Sequence, residues 1–203
     1  VSAAVASGAV PYWQSAHSVA RLLSVYNRSA IAQAPAPELS RLRRTVVHKD
    51  KMAGVDALEV IATWNVSAAA PIFGLRLRQV GNFSCDVAFD ASKNAVVAGP
   101  GIFQAAAVDA AAALPWWPAK VVPQPGPGMV RIHIFLDRSV VEVYTGGAAL
   151  TARCLLPPPS RDGHASSAVK QEANVVVTGV GAELVDLQAW EMGTMWARTT
   201  ARK

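Results

Sequence analysis

The segment Ile132–Arg153 reads IHIFLDRSVVEVYTGGAALTAR, and its pattern predicts three short antiparallel strands joined by tight turns. Apolar and polar residues alternate on both sides of the Asp-Arg-Ser sequence at 137–139, which is typical of a hairpin. Gly146 and Gly147 mark a second turn, because glycine adopts positive φ angles at little cost. We interpret the whole segment as a β-meander.

The same period of two recurs along much of the chain. In Phe83–Asp90, large apolar residues alternate with small or polar ones, which predicts a strand that buries one face. Further strands are predicted at Leu58–Val66, Leu75–Arg78, Val130–Leu136, Val140–Thr145, Ala148–Leu155, Asn174–Thr178 and Glu183–Met192. Only Val108–Leu114 and Pro37–Arg44 are predicted to be helical. Strands of this kind cover their apolar faces against each other, so we predict an all-β fold, a two-sheet antiparallel β-sandwich of the jelly-roll or lectin-like type.

Composition excludes several classes of function. The chain has 203 residues, 52% of them hydrophobic, which predicts one principal domain. No uninterrupted apolar stretch of about 18 residues is present, so we predict no membrane span. The 19 basic residues are spread along the chain, and the net charge of +5 therefore predicts a solvated surface and no nucleic-acid partner. We predict neither a cofactor nor a metal, and the start at Val1 suggests excision from a longer protein.

The asparagine and cysteine residues of the chain bear on the cellular compartment in which the protein is found. Three of the five asparagines, Asn27, Asn65 and Asn82, begin sequons for N-glycosylation. This predicts a glycoprotein of the secretory pathway, either secreted or delivered to a vacuole or lysosome. Cys85 and Cys154 both fall on predicted strands at core-facing positions, and they leave a disulfide and two free buried cysteines equally open.

Two carboxylates lie close together in the meander, at Asp137 and Glu142. Paired carboxylates carry out glycoside hydrolysis when they face each other across a cleft at about 5–9 Å. A hairpin tip offers no such cleft, so we interpret Asp137, Arg138 and Glu142 as structural residues of the hairpin, with Glu142 paired to Arg138 or Arg153. An enzyme using Asp137, Glu142 or His133 is the less favoured hypothesis.

Prolines interrupt the pattern in two places. The segment AQAPAPELSRLRR at 32–44 predicts a domain boundary, which divides the chain into residues 1–34 and a sandwich domain at 35–203. The segment ALPWWPAKVVPQPGPG at 113–128 predicts a surface loop that carries Trp116 and Trp117. These two indoles are expected to seal a core edge or a domain contact, or alternatively to stack on a sugar ring.

The meander resembles the hairpin in the C-terminal β-sandwich of glycoside hydrolase family 32, the invertases, inulinases and other β-fructofuranosidases. Residues 32–44 resemble the linker that follows the family's catalytic propeller. FGLRLR at Phe73–Arg78 is similar to an early sandwich strand, and LQAWEMGTMW at Leu187–Trp196 is similar to the closing strand. YWQSAHSVARLLSV at Tyr12–Val25 is similar to the last propeller strand, with Ala20 and Leu22 in place of the family's Pro and Glu.

The resemblance implies where catalysis belongs. In this family it belongs to an N-terminal five-bladed propeller with Asn-Asp-Pro-Asn, Arg-Asp-Pro and Glu-Cys motifs. None of these motifs occurs here: SRDGH at 160–164 has Gly in place of Pro, and FSCDV at 83–87 has Ser84 in place of the acid Glu. The resemblance therefore implies a chain without catalytic residues, and it leaves open whether the chain alone is an enzyme, the parent protein being a glycosidase.

The resemblance also implies a role and partners. The chain is expected to be the non-catalytic sandwich of a sucrose- or fructan-hydrolysing glycosidase, which stabilises the missing propeller. Residues 1–34 would be a remnant of the last propeller strand plus linker, lying outside the sandwich. A homodimer and a bound carbohydrate are left open. The alternative is a carbohydrate-binding module that recognises sugars through Trp116 and Trp117.

Overall fold

A computed structural model describes residues 19–26, 30–55, 57–67, 72–80, 83–90, 95–99, 101–105, 119–120, 128–137, 140–153, 174–178 and 181–193. Its strands are β1 (Arg21–Tyr26), β2 (Ala30–Pro35), β3 (Arg43–Val46), β4 (Ala57–Val66), β5 (Ile72–Val80), β6 (Phe83–Asp90), β7 (Ala95–Gly99), β8 (Ala119–Lys120), β9 (Met129–Asp137), β10 (Val140–Thr145), β11 (Ala148–Arg153), β12 (Asn174–Thr178) and β13 (Ala182–Met192). Two 3₁₀ helices, Pro37–Leu42 and Lys49–Gly54, and a single α-helical turn, α1 (Ile102–Ala105), complete the described elements.

The described strands form two main antiparallel sheets. One has six strands in the order β11-β10-β9-β4-β13-β3, and the other has five in the order β12-β5-β6-β7-β8. The hairpin β1–β2 forms a separate two-stranded sheet. This arrangement confirms the predicted all-β, two-sheet antiparallel sandwich.

The predicted meander forms from β9, β10 and β11. Asp137 was predicted to lie in the first turn, but it is the last residue of β9 and pairs with Val140, and Thr145 pairs with Ala148 across the second turn. The second turn contains Gly146-Gly147, whose φ angles of 53° and 80° favour glycine. The turn chemistry in the sequence therefore sets the pairing of these three strands.

The core lies between the two main sheets. Trp64 of β4 packs against Phe73 of β5 with ring centroids 5.0 Å apart, and Phe73 packs against Phe89 at 5.4 Å. Burying each such side chain contributes roughly 1.5–3 kcal/mol. A Cβ atom at Gly74 would lie 2.0 Å from the Val87 carbonyl oxygen, so β5 and β6 approach each other more closely there than any other residue would permit.

The polar face of β6 is buried as well as its apolar face. Ser84, Asp86 and Asp90 are all buried, so the prediction that this strand buries one face is wrong. The reason lies in the outer layer: Asp86 accepts hydrogen bonds from Arg76 Nε at 3.0 Å and from the backbone N–H of Phe103 in α1 at 3.1 Å. Hydrogen bonding offsets the desolvation of these polar groups.

Other local predictions have mixed outcomes. Pro37–Arg44 was predicted to be helical, and a 3₁₀ helix forms over Pro37–Leu42, whereas Val108–Leu114 lies outside the described residues. Strands β2, β3, β7 and β8 were not predicted, and β8 lies within the segment 113–128 that was predicted to be a surface loop. Cys85 faces the core and is in a disulfide; Cys154 lies outside the described residues. Within the described part of the chain, no helix is long and apolar enough to cross a membrane.

Candidate functional site

The outer face of the six-stranded sheet carries a cluster of polar side chains beneath the hairpin β1–β2. Alternation along β10 places Val141 and Val143 in the core, so that Glu142 and Tyr144 point outward. Both outward side chains are nevertheless buried, at 2% and 4% exposure. The hairpin covers them, because Arg21 at the start of β1 lies over Tyr144, with its guanidinium 5.5 Å from the ring centroid.

Arg21 and Glu142 form an ion pair that joins the hairpin to the sandwich. Arg21 Nη2 lies 2.8 Å from Glu142 Oε2, and the same oxygen accepts a 2.9 Å hydrogen bond from the Tyr144 hydroxyl. The backbone N–H of Val19 donates to the other carboxylate oxygen, and Arg21 also donates to Gln33 Oε1 at 3.0 Å. The pKa of the Tyr144 hydroxyl is raised, mainly by burial and secondly by the adjacent Glu142 carboxylate, so the hydroxyl is protonated at neutral pH. We call Arg21, Gln33, Glu142 and Tyr144 the hairpin anchor.

The hairpin anchor corrects one prediction. Glu142 was predicted to pair with Arg138 or Arg153, but its carboxylate binds Arg21. In the register of β10 and β11, Glu142 lies opposite Thr151, while Arg153 lies opposite Val140. A cross-strand argument could not find the true partner, because Arg21 lies on an element that is 121 residues away in sequence.

A second buried carboxylate, Glu59 of β4, attaches β3 to the sheet. Arg43 donates to both of its oxygens, from Nε at 2.8 Å and from Nη2 at 2.7 Å. His133 Nε2 lies 2.8 Å from Glu59 Oε1. Burial by itself raises the pKa of Glu59, but the hydrogen bonds with Arg43 and His133 outweigh it and lower the pKa to about 2. Glu59 is therefore ionised at neutral pH.

Neither Glu59 nor Arg43 was singled out from the sequence. The available signal was an acid inside an otherwise apolar strand, LEVIATW, since a buried carboxylate requires a partner. Arg43 also stacks on Trp190, with its guanidinium 3.8 Å from the ring centroid. Arg21 thus holds the hairpin against the six-stranded sheet, and Arg43 holds β3 at the edge of that sheet.

The ion pairs of Glu142 and Glu59 are suited to holding the hairpin and β3 in place. A retaining glycosidase requires one carboxylate free to attack and one carboxyl that holds a proton. Glu142 and Glu59 are each bound to an arginine, and His133 is bound to Glu59. Asp137 lies exposed at the end of β9, beside the hairpin turn.

The remaining predicted site residues divide into two groups. Asn65 is exposed near the end of β4. Outside the described residues lie Trp116, Trp117, Asn27, Asn82 and Arg138. Among the residues that the structure describes, no group of three or more His, Cys, Asp or Glu side chains could hold a metal ion.

The family described as "Glycosyl hydrolases family 32 C terminal" matches residues 39–191. No curated protein matches the chain. An exo-inulinase from Aspergillus awamori is similar in structure, with a TM-score of 0.57 and 20% identity over 87% of this chain and 35% of that one. Fructan 1-exohydrolase IIa from Cichorium intybus is similar with a TM-score of 0.59 and 14% identity, over 85% of this chain and 40% of that one.

A β-fructofuranosidase from Bombyx mori is also similar, with a TM-score of 0.51 and 14% identity over 87% of this chain and 32% of that one. The chain thus spans about a third to two-fifths of the length of these structures, and at such identities they show a common fold. The family match covers most of the 203 residues and confirms the resemblance read from the meander and the linker. The chain therefore belongs to glycosyl hydrolases family 32, whose C-terminal domain it matches.

Proposed function

We propose that the chain is the non-catalytic β-sandwich of a sucrose- or fructan-hydrolysing glycosidase, and that it stabilises a catalytic propeller through the hairpin β1–β2. A domain of this family is part of a glycosidase, and in related proteins it accompanies a catalytic N-terminal domain. The substrate class rests on similar structures, which are an exo-inulinase, a fructan 1-exohydrolase and a β-fructofuranosidase.

The observation that carries the proposal is the apolar surface of the hairpin. Leu23, Val25 and Ile31 share one face, because Val25 pairs with Ile31 and Leu23 lies two residues from Val25. Their exposed fractions are 66%, 77% and 65%, and Leu22 on the opposite face is 54% exposed. A contiguous exposed apolar surface on a soluble domain usually marks a contact with another domain or protein.

The anchor gives this surface a defined position. A two-stranded hairpin is marginally stable in water on its own. Here its base is held by the ion pair of Arg21 with Glu142, and the Gln33 N–H donates to the Gly147 carbonyl oxygen at 2.7 Å. The far end, with Val25 and Ile31, projects apolar side chains toward solvent. Such a hairpin suits the completion of a blade in a neighbouring propeller, which the resemblance of Tyr12–Val25 implies.

The experiment begins with the transcript that encodes this chain. Its whole reading frame is expressed beside two variants. One variant ends before Val19 and therefore lacks the hairpin and the sandwich, and the other carries Leu23→Ser, Val25→Ser and Ile31→Ser. We expect the whole product to hydrolyse sucrose or inulin, the truncated product to lose thermal stability, and the triple variant to lose stability as well. The isolated 203-residue chain should hydrolyse neither substrate.

Two results would overturn the proposal. One is a reading frame whose product has no catalytic domain and no fructosidase activity. The other is turnover of sucrose by the purified isolated chain that falls in Asp137→Asn, since it would place catalysis in the sandwich. The matched control for the hairpin variant replaces exposed Val185 of β13 by serine, which removes an apolar side chain of similar exposure from another surface.

We propose further that the protein passes through the secretory pathway. The three sequons support this, and Asn65 lies exposed where an oligosaccharide would meet solvent. The disulfide at Cys85 supports it too, because disulfides persist mainly in oxidising compartments. Dimerisation, and sugar binding through Trp116 and Trp117, stay predictions.

A further inference from the structure

Among the residues that the structure describes, one edge of the six-stranded sheet is only partly covered. Strand β13 pairs with β4 along nearly its whole length, from Ala182 to Glu191, but with β3 only at Trp190–Met192. Beyond β3, the Val47 N–H donates to the Ala189 carbonyl oxygen at 2.8 Å, and the chain then turns away into the 3₁₀ helix Lys49–Gly54. A groove of about 600 Å³ opens at this point, between that turn and β13.

The groove combines an apolar floor with polar side chains. Leu184 and Leu187 of β13 are among the lining residues, as are Val46 and Val47 on the other side. Polar and aromatic groups also line it, namely His48, Lys49, Asp50, Gln188 and Trp190. Its volume falls within the roughly 300–1,000 Å³ that is typical of ligand sites, but it is a shallow groove open to solvent and not an enclosed cavity.

Two of the lining side chains contact neighbours within the chain, Trp190 by stacking and exposed Gln188 by one hydrogen bond at the surface. Gln188 Nε2 donates to Asp186 Oδ2 at 2.8 Å, which orients the amide and leaves its carbonyl oxygen as an acceptor. The Trp190 indole is stacked by Arg43, and Arg43 is in turn bound on two nitrogens by Glu59. Preorganised groups bind a ligand with a smaller loss of side-chain entropy.

The shape of the edge argues against a peptide strand as the occupant. The register of β13 with β4 shifts between Leu184 and Asp186, so Val185 forms a bulge, and its side chain is 57% exposed. Exposed Glu183 and Asp186 flank this bulge. Bulges and charged side chains at a sheet edge are devices that prevent the addition of another strand.

A neutral sugar fits the chemistry better. Its C–H groups pack on apolar and aromatic side chains, while its hydroxyls both donate and accept hydrogen bonds. The groove offers the acceptors Asp50 and Gln188, the donor Lys49, and His48, which can do either. We propose that this groove is a binding site for a neutral oligosaccharide of the fructan type; the choice of a fructan rests on the proposed function.

The test uses the isolated chain, with short inulin oligosaccharides as the probe and maltooligosaccharides of equal length as the comparison. Binding is measured by calorimetry and by NMR shift changes of the backbone amides of Lys49 and Gln188. We expect a millimolar-range dissociation constant for the inulin series, with the largest shifts at these two amides. Both Gln188→Ala and Asp50→Ala should weaken binding at least fivefold. These side chains are exposed, so their variants should fold; Glu183→Gln, outside the groove, is the control.

Several outcomes would overturn the inference. They are absence of binding, binding that is unchanged in both groove variants, preference for the maltooligosaccharides, and displacement of the sugar by an extended peptide that adds to β13. The proposed function is tested separately, because hydrolysis of fructosides by the product of the whole reading frame does not depend on this groove. Fructosidase activity without sugar binding by the sandwich would therefore reject the groove alone.

Discussion

Replacing Glu142 by glutamine should loosen the hairpin β1–β2 from the sandwich and leave the sandwich core intact. The Glu142 carboxylate accepts hydrogen bonds from the Val19 N–H, from Arg21 and from the Tyr144 hydroxyl. The side chain lies on the outer face of β10, and its neighbours Val141 and Val143 face the core. The substitution preserves the shape of the residue and removes its charge.

The magnitude follows from these contacts. Hydrogen bonds to a charged group contribute about 1.5–3 kcal/mol, and leaving one member of a buried ion pair alone costs about 3–5 kcal/mol. Two features reduce the cost here: the Arg21 side chain is 20% exposed and can be hydrated, and glutamine keeps one oxygen as an acceptor. We therefore expect a loss of about 2 kcal/mol, which is about a 30-fold change in an equilibrium constant.

Native-state hydrogen exchange separates local from global effects. The cross-strand amides of β1 and β2 should lose about 30-fold in protection, since a hairpin released from its support is only marginally stable. The amides of β4 should keep their protection. Glu183→Gln makes the same chemical change at an exposed position of β13 and should change neither set.

Two results would contradict the expected effect of Glu142→Gln. Unchanged protection in the hairpin would show that the ion pair of Arg21 with Glu142 does not hold it. An equal loss of protection in β4 would show that Glu142 supports the sandwich core instead.

Three further predictions concern the sandwich itself. Because the pKa of Glu59 is lowered from 4.5 to about 2, its ion pair contributes stability that is complete above pH 4.5 and is lost as the pH falls toward 2. Urea unfolding between pH 7 and pH 2 should show that loss, which should be much smaller in Glu59→Gln; identical pH profiles would contradict it. Gly74→Ala should destabilise the chain by about 3 kcal/mol or more, because the new Cβ meets the Val87 carbonyl oxygen, and an unchanged urea midpoint would contradict this packing. Native material should lose mass on treatment with an N-glycosidase, with a modified site at Asn65, and an unchanged mass spectrum would remove the main support for the secretory proposal.

Much of the fold was predictable because strand alternation and turn chemistry are local. The period of two along β9 and β10 and the glycines at 146–147 set the meander and its register, and the same pattern located β4, β5, β6 and β13. Short strands such as β3 and β7 were missed, since four or five residues carry too little periodicity to stand out. The pattern also reported which face of β6 is apolar, but not that α1 and Arg76 cover the polar face.

The all-β class and the family resemblance could be predicted from the residues alone, because both reside in short stretches that are read in order along the chain. The partners of the buried carboxylates became visible only in the folded chain. Glu142 meets Arg21 across 121 residues, and Glu59 meets His133 across 74, so no spacing rule connects them. The groove beside β13 likewise exists because β3 ends early and the next segment turns away. Ion pairs and open edges depend on which elements are brought together by burial of the core, and alternation along a strand does not specify those neighbours.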